Sequence, residues 1–318
     1  MTNLCGKGVW LAHSYDLQRA TEMATKTEAT HLLIKVGHGP FYFPEITRAL
    51  LPRTRSLGFQ ALAWVQITDY LPAEMLSTIR RALEFGYDGV VLFLGSALVT
   101  ANQLRPLVDA LKQVDIAPAR LYVASVPPGR LPDAETLQIL APLCQGGWMP
   151  LCFPASGNSP EQVIEREVYQ ALGDLSLIWG GTPPVYPILS PLQGDGEAPF
   201  LPEMMIPWVE TIVQHGVDFF SVYHAAVTEK ALWPILQAAN VACRVEAPQG
   251  DTELTEPGVA VPQPVYVTVK TSDTVWGLIN RYGLGKEQFW RWNAHLWDSR
   301  GLPRDADYLQ EGWRVRVQ

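Results

Sequence analysis

The sequence predicts a (β/α)8 barrel followed by a small α+β unit of βααβ order. Three observations carry this. Eight short apolar runs alternate with eight amphipathic runs over about the first 240 residues. Most of the apolar runs are apolar on both faces, as the strands of a covered parallel sheet are. A proline-rich stretch then separates this region from a short tail rich in tryptophan. Eight strand–helix units in that length match the count and size of a TIM barrel. The alternative, an open doubly wound sheet, calls for a Gly-rich phosphate turn after an early strand, and "GHGPFYF" lacks the G-x-G-x-x-G spacing.

The predicted strands are "KGVWLAHSY" (7–15), "THLLIKVG" (30–37), "FQALAWVQI" (59–67), "DGVVLFLG" (88–95), "ARLYVASV" (119–126), "GGWMPLCF" (146–153), "VYPILS" (185–190) and "VDFFSVYH" (217–224). Between them lie helical patterns. "YDLQRATEMATKTEAT" sets Leu17, Ala20, Met23 and Ala24 on one face. "PEITRALLPRTRSLG" and "PAEMLSTIRRALEFG" open on proline and stop at Gly58 and Gly86. "NQLRPLVDALKQVD", "DAETLQILAPLCQGG", "SPEQVIEREVYQALGD", "LPEMMIPWVETIVQHG" and "EKALWPILQAAN" follow the same grammar. The barrel is expected over 1–245. The stretch 246–264, with four prolines and no periodicity, reads as an extended linker. Residues 265–318 form the small unit.

Composition bounds the function. The 318 residues carry a net charge of −8, unevenly spread. The final 54 hold eight Lys/Arg and six Asp/Glu, a balance of +2, which leaves the first 264 at −10. An acidic body argues against a nucleic-acid partner, because phosphate binding needs a concentrated cationic face. No window of eighteen uncharged apolar residues occurs, so no membrane span is expected. The start "MTNLCGKGVWLAHSYD" lacks the basic, apolar and small-residue regions of a Sec signal. The expected location is cytoplasmic, or at the cell wall after signal-free release. Cys5, Cys144, Cys152 and Cys243 show no C-x-x-C pair and read as buried free thiols of a reducing compartment. No Cys/His cluster has zinc spacing, so no metal and no cofactor is expected.

In the tail, Ser272 or Asp273 can cap a helix with apolar positions Val275, Leu278 and Ile279, ended by Gly283. A second helix presents Phe289, Trp290 and Trp292, and "WRVRVQ" alternates as a half-buried strand does. A unit this short gains most buried area per residue from bulky aromatics. The segments "YVTVKTSDTVWGLINRYG", "WRWNAHL" and "YLQEGWRVRV" resemble the LysM family. Ser272 directly precedes Asp273, where the family usually places an intervening glycine, and "AHLWDSRGLPRDAD" is long for the family. The resemblance implies binding of N-acetylglucosamine (GlcNAc) chains of peptidoglycan or chitin. It also implies a groove between Thr271, Ser272, Asp273, Thr274 and Val275 on one side and Asp307, Tyr308, Leu309 and Gln310 on the other. A protein assembly partner is the alternative ligand.

Barrel chemistry belongs at the C-terminal ends of the strands. The first strand offers His13, Tyr15 and Asp16 there, the second Lys35 and His38, the third Gln66 and Asp69. The fourth ends "LFLGS", with nothing titratable. The fifth offers Ser125, the sixth Phe153, the seventh Ser190 and Gln193 with Asp195 and Glu197 in its loop, the eighth Tyr223 and His224. "GVWLAHSYD" and "THLLIKVGHGPF" resemble the first two strands of muramidase barrels over about thirty residues. In those enzymes the fourth strand ends D-x-E, and in chitinase-like barrels D-x-x-D-x-D-x-E. Here Leu92, Phe93, Leu94 and Gly95 stand in those places, and His38 replaces the acid of the second strand.

Glycoside hydrolysis uses two carboxylates, about 5–5.5 Å apart for retention and about 6.5–9.5 Å for inversion. Asp69 paired with Asp16, Asp195 or Glu197 are the candidates, although Asp16 also stands where a carboxylate caps a helix. "VASVPPG" and "FPASGNS" lack the serine-hydrolase elbow G-x-S-x-G. Lys35 as a Schiff-base amine competes with the commoner pairing of a barrel lysine with a carboxylate. Three readings remain. One is a wall-binding protein whose barrel lacks the usual glycosidase acids. The second is an active muramidase- or glucosaminidase-like hydrolase. The third is a component of a phage-tail or contractile-injection assembly.

Overall fold

A computed structural model describes residues 4–13, 16–69, 71–95, 99–131, 133, 135–153, 158–193, 198–199, 201–241, 266–270, 275, 278, 289, 293 and 314–316. The chain divides into two compact units, Met1–Ala247 and Pro248–Gln318.

In chain order the strands of the large unit are β1 (Gly6–Leu11), β2 (His31–His38), β3 (Phe41–Tyr42), β4 (Gln60–Gln66), β5 (Gly89–Gly95), β6 (Leu121–Ser125), β7 (Gly147–Cys152), β8 (Ile188–Leu189), β9 (Leu192–Gln193), β10 (Ala198–Pro199) and β11 (Phe219–Val222). All but β3, β9 and β10 form a closed parallel barrel. Its eight strands pair in sequence, and β1 closes the ring by pairing with both β11 and β2. All eight expected strands form. The seventh, β8, is the shortest, because Pro187 has no N–H to give the ladder; only an isolated bridge from Trp148 to Val185 precedes it. Two ribbons went unread in the sequence. The strand β3 folds back on β2, and β9 pairs with β10.

The helices follow the sequence grammar. They are α1 (Leu17–Lys26), α2 (Pro44–Ser56), α3 (Met75–Phe85), α4 (Ala101–Lys112), α5 (Glu135–Leu140), α6 (Leu172–Trp179), α7 (Pro202–Gln214) and α8 (Trp233–Ala238). Pro44 and Pro202 open α2 and α7, where the missing N–H costs nothing. Gly86 and Gly180 end α3 and α6 in the left-handed conformation. On α1 the buried residues are Leu17, Ala20, Met23 and Ala24, the face the spacing predicts. The run 159–174 is not one α-helix: Glu161–Tyr169 winds as a π-helix before α6 begins.

Strand alternation sorts the apolar residues into two cores. Val9, Leu32, Ile34, Ala63, Val90 and Leu92 join the helices in the outer core. Trp10, Leu33, Trp64, Val91, Phe93, Tyr122, Met149 and Phe219 fill the barrel itself. Near its floor the Tyr186 hydroxyl accepts from the Leu4 N–H at 3.3 Å. Gly8 is required there, since a Cβ would stand 2.5 Å from the Phe219 ring. Below, the buried Lys7 ammonium donates to the carbonyls of Leu236, Gln237 and Ala239 at the end of α8.

The cysteines divide. Cys144 and Cys152 are free and fully buried, as expected. Cys5 is disulfide-bonded, its partner lying outside the described residues, which corrects the expectation of four free thiols. The pairing joins positions with no telltale spacing, because tertiary folding, not the local sequence, brings them together.

In the small unit β12 (Tyr266–Thr268) pairs antiparallel with β13 (Arg314–Arg316). Val275, Leu278, Phe289 and Asn293 are helical and buried, and Asn293 Nδ2 donates to the Phe289 carbonyl at 2.9 Å.

Candidate functional site

The C-terminal mouth of the barrel is floored by aromatic rings. Trp10 lies 5.5 Å from each of Trp64, Phe93 and Tyr223, centroid to centroid, in edge-on contacts. Phe93 stacks on Tyr223, and Phe153 tilts against Tyr223 at 5.9 Å. Trp10 Nε1 donates to Ser221 Oγ and Trp64 Nε1 to the Leu11 carbonyl, so both indoles are fixed. Trp10 and Trp64 are wholly buried, whereas Tyr223 and Phe153 keep partial exposure and form the surface a ligand meets. Phe41, 58% exposed, stands on the adjoining β2–β3 ribbon.

Two register shifts decide what else faces the mouth. In β2, Lys35 aligns with Trp64, but the next pair is Gly37 with Val65, leaving Val36 as an extra residue. Because of that bulge His38 aligns with Gln66 on the inner face, so Lys35 and His38 both face the mouth. Gly37 turns toward α3, where a Cβ would meet Thr78 at 2.5 Å. In β5, Phe93 aligns with the inward Ala124, but Gly95 aligns with Ser125. Ser125 points outward and accepts from Trp148 Nε1 at 3.0 Å. The last inward residue of the fourth barrel strand is therefore Phe93, and this strand delivers no carboxylate.

Polar groups surround the aromatic floor. Lys35 Nζ sits 4.7 Å from the Trp64 ring centroid and forms no ion pair among the described residues, so the expected lysine–carboxylate pairing is absent there. Burial lowers its pKa. His224 follows a cis peptide from Tyr223, with its ring edge-on to Tyr223 at 5.1 Å. Its Nδ1 is buried without a hydrogen-bond partner among the described residues. Burial lowers the His224 pKa, Asp16 pulls it up, and His13 and Lys35 push it down. His38 is lowered by burial and then by Lys35.

Asp16 precedes α1 and is only 8% exposed, but its side chain makes no capping bond, and Oδ2 is buried without a hydrogen-bond partner among the described residues. The helix-cap role considered for it is thus not the one its side chain plays. Arg19 on α1 donates to the carbonyls of Ala225 and Thr228, both at 2.8 Å, and locks α1 to the segment after β11. That contact holds Asp16 beside His224.

The remaining expected residues fall as follows. His13 is exposed at the end of β1 and Gln66 is half-buried, its Nε2 3.4 Å from the Phe93 carbonyl. Asp69 is exposed after β4, and β2 lies between its strand and that of Asp16. Tyr15, Asp195 and Glu197 lie outside the described residues. So do Thr271, Ser272, Asp273, Thr274, Asp307, Tyr308, Leu309 and Gln310. Val275 is described, helical and 3% exposed. The residues that sequence reasoning missed are Trp10, Trp64 and Phe93. Their inward alternation was readable, but not that they converge on one end of the barrel.

Among the described residues no three His, Cys, Asp or Glu side chains are arranged to hold a metal ion. No helix among them is long and apolar enough to cross a membrane. A depression bordered by Arg80, Glu84, Asp115 and Arg120 lies at the opposite, N-terminal end of the strands.

Residues 267–303 match the LysM domain family, so the tail carries a LysM domain. No curated protein matches the chain. The barrel is similar in fold to solved chitinases. With a chitinase from Chromobacterium violaceum ATCC 12472 the TM-score is 0.50 at 10% identity, over 74% of this chain and 98% of that one. With the catalytic domain of a hyperthermophilic chitinase from Pyrococcus furiosus it is 0.52 at 12% identity, over 75% of this chain and 95% of that one.

Proposed function

We propose that this is a binding protein for GlcNAc-containing wall polymer, in which the LysM domain grips the polymer and the barrel holds a glycan without hydrolysing it. The observation that carries the reading is Phe93, stacked on Tyr223 where the fourth strand would have to present an acid. A buried aromatic ring neither donates nor accepts the proton that glycoside cleavage needs. Partly exposed Tyr223 and Phe153 offer flat apolar surface that suits a sugar face. The LysM match and the chitinase-like barrel fold both favour an amino-sugar polymer.

The test is co-sedimentation of the full chain with purified peptidoglycan and with chitin, followed by assay of released reducing sugar. Retention on polymer with no release is the expected result. Release that disappears in Asp69→Asn makes the protein a hydrolase and ends this reading. A second reading rests on Asp16, a buried acid at the mouth with an unpartnered oxygen; release lost in Asp16→Asn but kept in Asp69→Asn would establish it. Failure to bind either polymer leaves the assembly-component reading.

A further inference from the structure

Titratable side chains cluster at the barrel mouth. Lys35, His38, His13 and His224 gather at one end of the strands, where Asp69 is the exposed acid. They stand on β1, β2 and β11 or directly after them, and these three strands are adjacent in the barrel. Asp16 is a buried acid set among these basic groups.

We propose that the mouth binds a carboxylate carried by an acidic glycan, on its sugar or on its attached peptide, with Lys35 and His224 as its donors. This rests on the glycan-holding reading above and narrows its ligand from any GlcNAc polymer to one that bears carboxylates. The Lys35 ammonium lies against the Trp64 face with no carboxylate paired to it among the described residues. His224 Nδ1 and Asp16 Oδ2 are buried at the same mouth, and each lacks a hydrogen-bond partner among the described residues. Buried polar atoms are seldom left unpaired, so two beside an unpaired cation point to a ligand that completes them. Such a ligand brings an anion for Lys35 and His224, a hydroxyl or amide N–H for Asp16, and a flat apolar face for Tyr223 and Phe153. A neutral chitin strand supplies the last two but not the first. A muramic-acid strand with its stem-peptide carboxylates, or a uronic-acid strand, supplies all three.

The test is isothermal titration of the full chain with three ligands: a GlcNAc–muramic acid muropeptide, a hyaluronan tetrasaccharide and chitotetraose. The expected result is at least tenfold tighter binding of one or both acidic ligands than of chitotetraose, weakening as salt rises. Preference for the muropeptide alone identifies the muramic source, and preference for hyaluronan alone the uronic one. Lys35→Met is expected to bring affinity for the acidic ligands down to that of chitotetraose. A preference that survives Lys35→Met in full places the acidic ligand elsewhere in the chain and overturns the proposal. Chitotetraose binding equal to that of both acidic ligands, with no salt dependence, overturns it too but leaves the glycan-binding reading intact. Absence of heat with all three overturns both. If Lys35→Met fails to fold, His224→Gln is the second variant: at least threefold weaker binding of the acidic ligands with chitotetraose unchanged supports the proposal, and unchanged affinity for all three overturns it.

Discussion

Phe93 stacks on Tyr223, their ring centroids 5.4 Å apart and their planes 11° from parallel. This contact lies at the end of the fourth barrel strand, whose last inward residue is Phe93. Phe93 is 5% exposed, and Trp10 and Trp64 pack beneath it. Phe93→Asp therefore buries a carboxylate among aromatic rings. It is expected to cost roughly 3–5 kcal/mol and to release no reducing sugar. Thermal melting and the sugar assay check both halves; a stable variant that cleaves polymer would contradict them.

His31 gives the fold a sensitivity to acid. It is 1% exposed, its Nδ1 lies 2.7 Å from Thr30 Oγ1, and burial lowers its pKa to about 4 against the opposing pull of Gln60 and Asp88. The folded value lies below the unfolded value of 6.5, so the unfolded chain takes up the proton first. Stability is complete above about pH 6.5 and falls as pH drops toward 4, by roughly 3 kcal/mol from this group. Melting temperatures of wild type and His31→Gln across that window should converge as pH falls. Parallel curves would remove His31 as the cause.

Lys7 holds the floor of the barrel to the end of α8. Its three carbonyl partners, at 3.1–3.3 Å, lose their donor in Lys7→Met, at an expected cost of about 2 kcal/mol. Chemical denaturation measures this, and an unchanged midpoint would show that water replaces the ammonium without loss.

Cys5 is the remaining tie at the N-terminus. Thiol titration of the denatured, unreduced chain should find two reactive thiols, and reduction should expose four. Reduction or Cys5→Ser is expected to lower stability by about 2–5 kcal/mol. Four reactive thiols before reduction would rule the bond out.

The fold was largely legible because a buried parallel strand writes itself as a continuous apolar run, and Pro and Gly mark where helices begin and end. The absence of an acid at the end of the fourth strand was legible too, since "VVLFLG" contains none. Less legible was which residues face the mouth. The extra residue at Val36 brings His38 to the inner face, and the shift after Phe93 takes Gly95 away from it. A bulge depends on pairing with the neighbouring strand, which local sequence does not encode. The same applies to Asp16, whose place before α1 suggested a cap and whose side chain makes none.

The barrel and the absence of an acid in the fourth strand follow from residue type and local period, and the LysM tail from its motifs, so the linear chain is enough to reveal them. The meeting of Trp10, Trp64, Phe93 and Tyr223 at one end, with Lys35, Asp16 and His224 around them, follows only from the closed ring. Those residues come from several strands and their loops, and closure is what brings groups more than two hundred positions apart into contact.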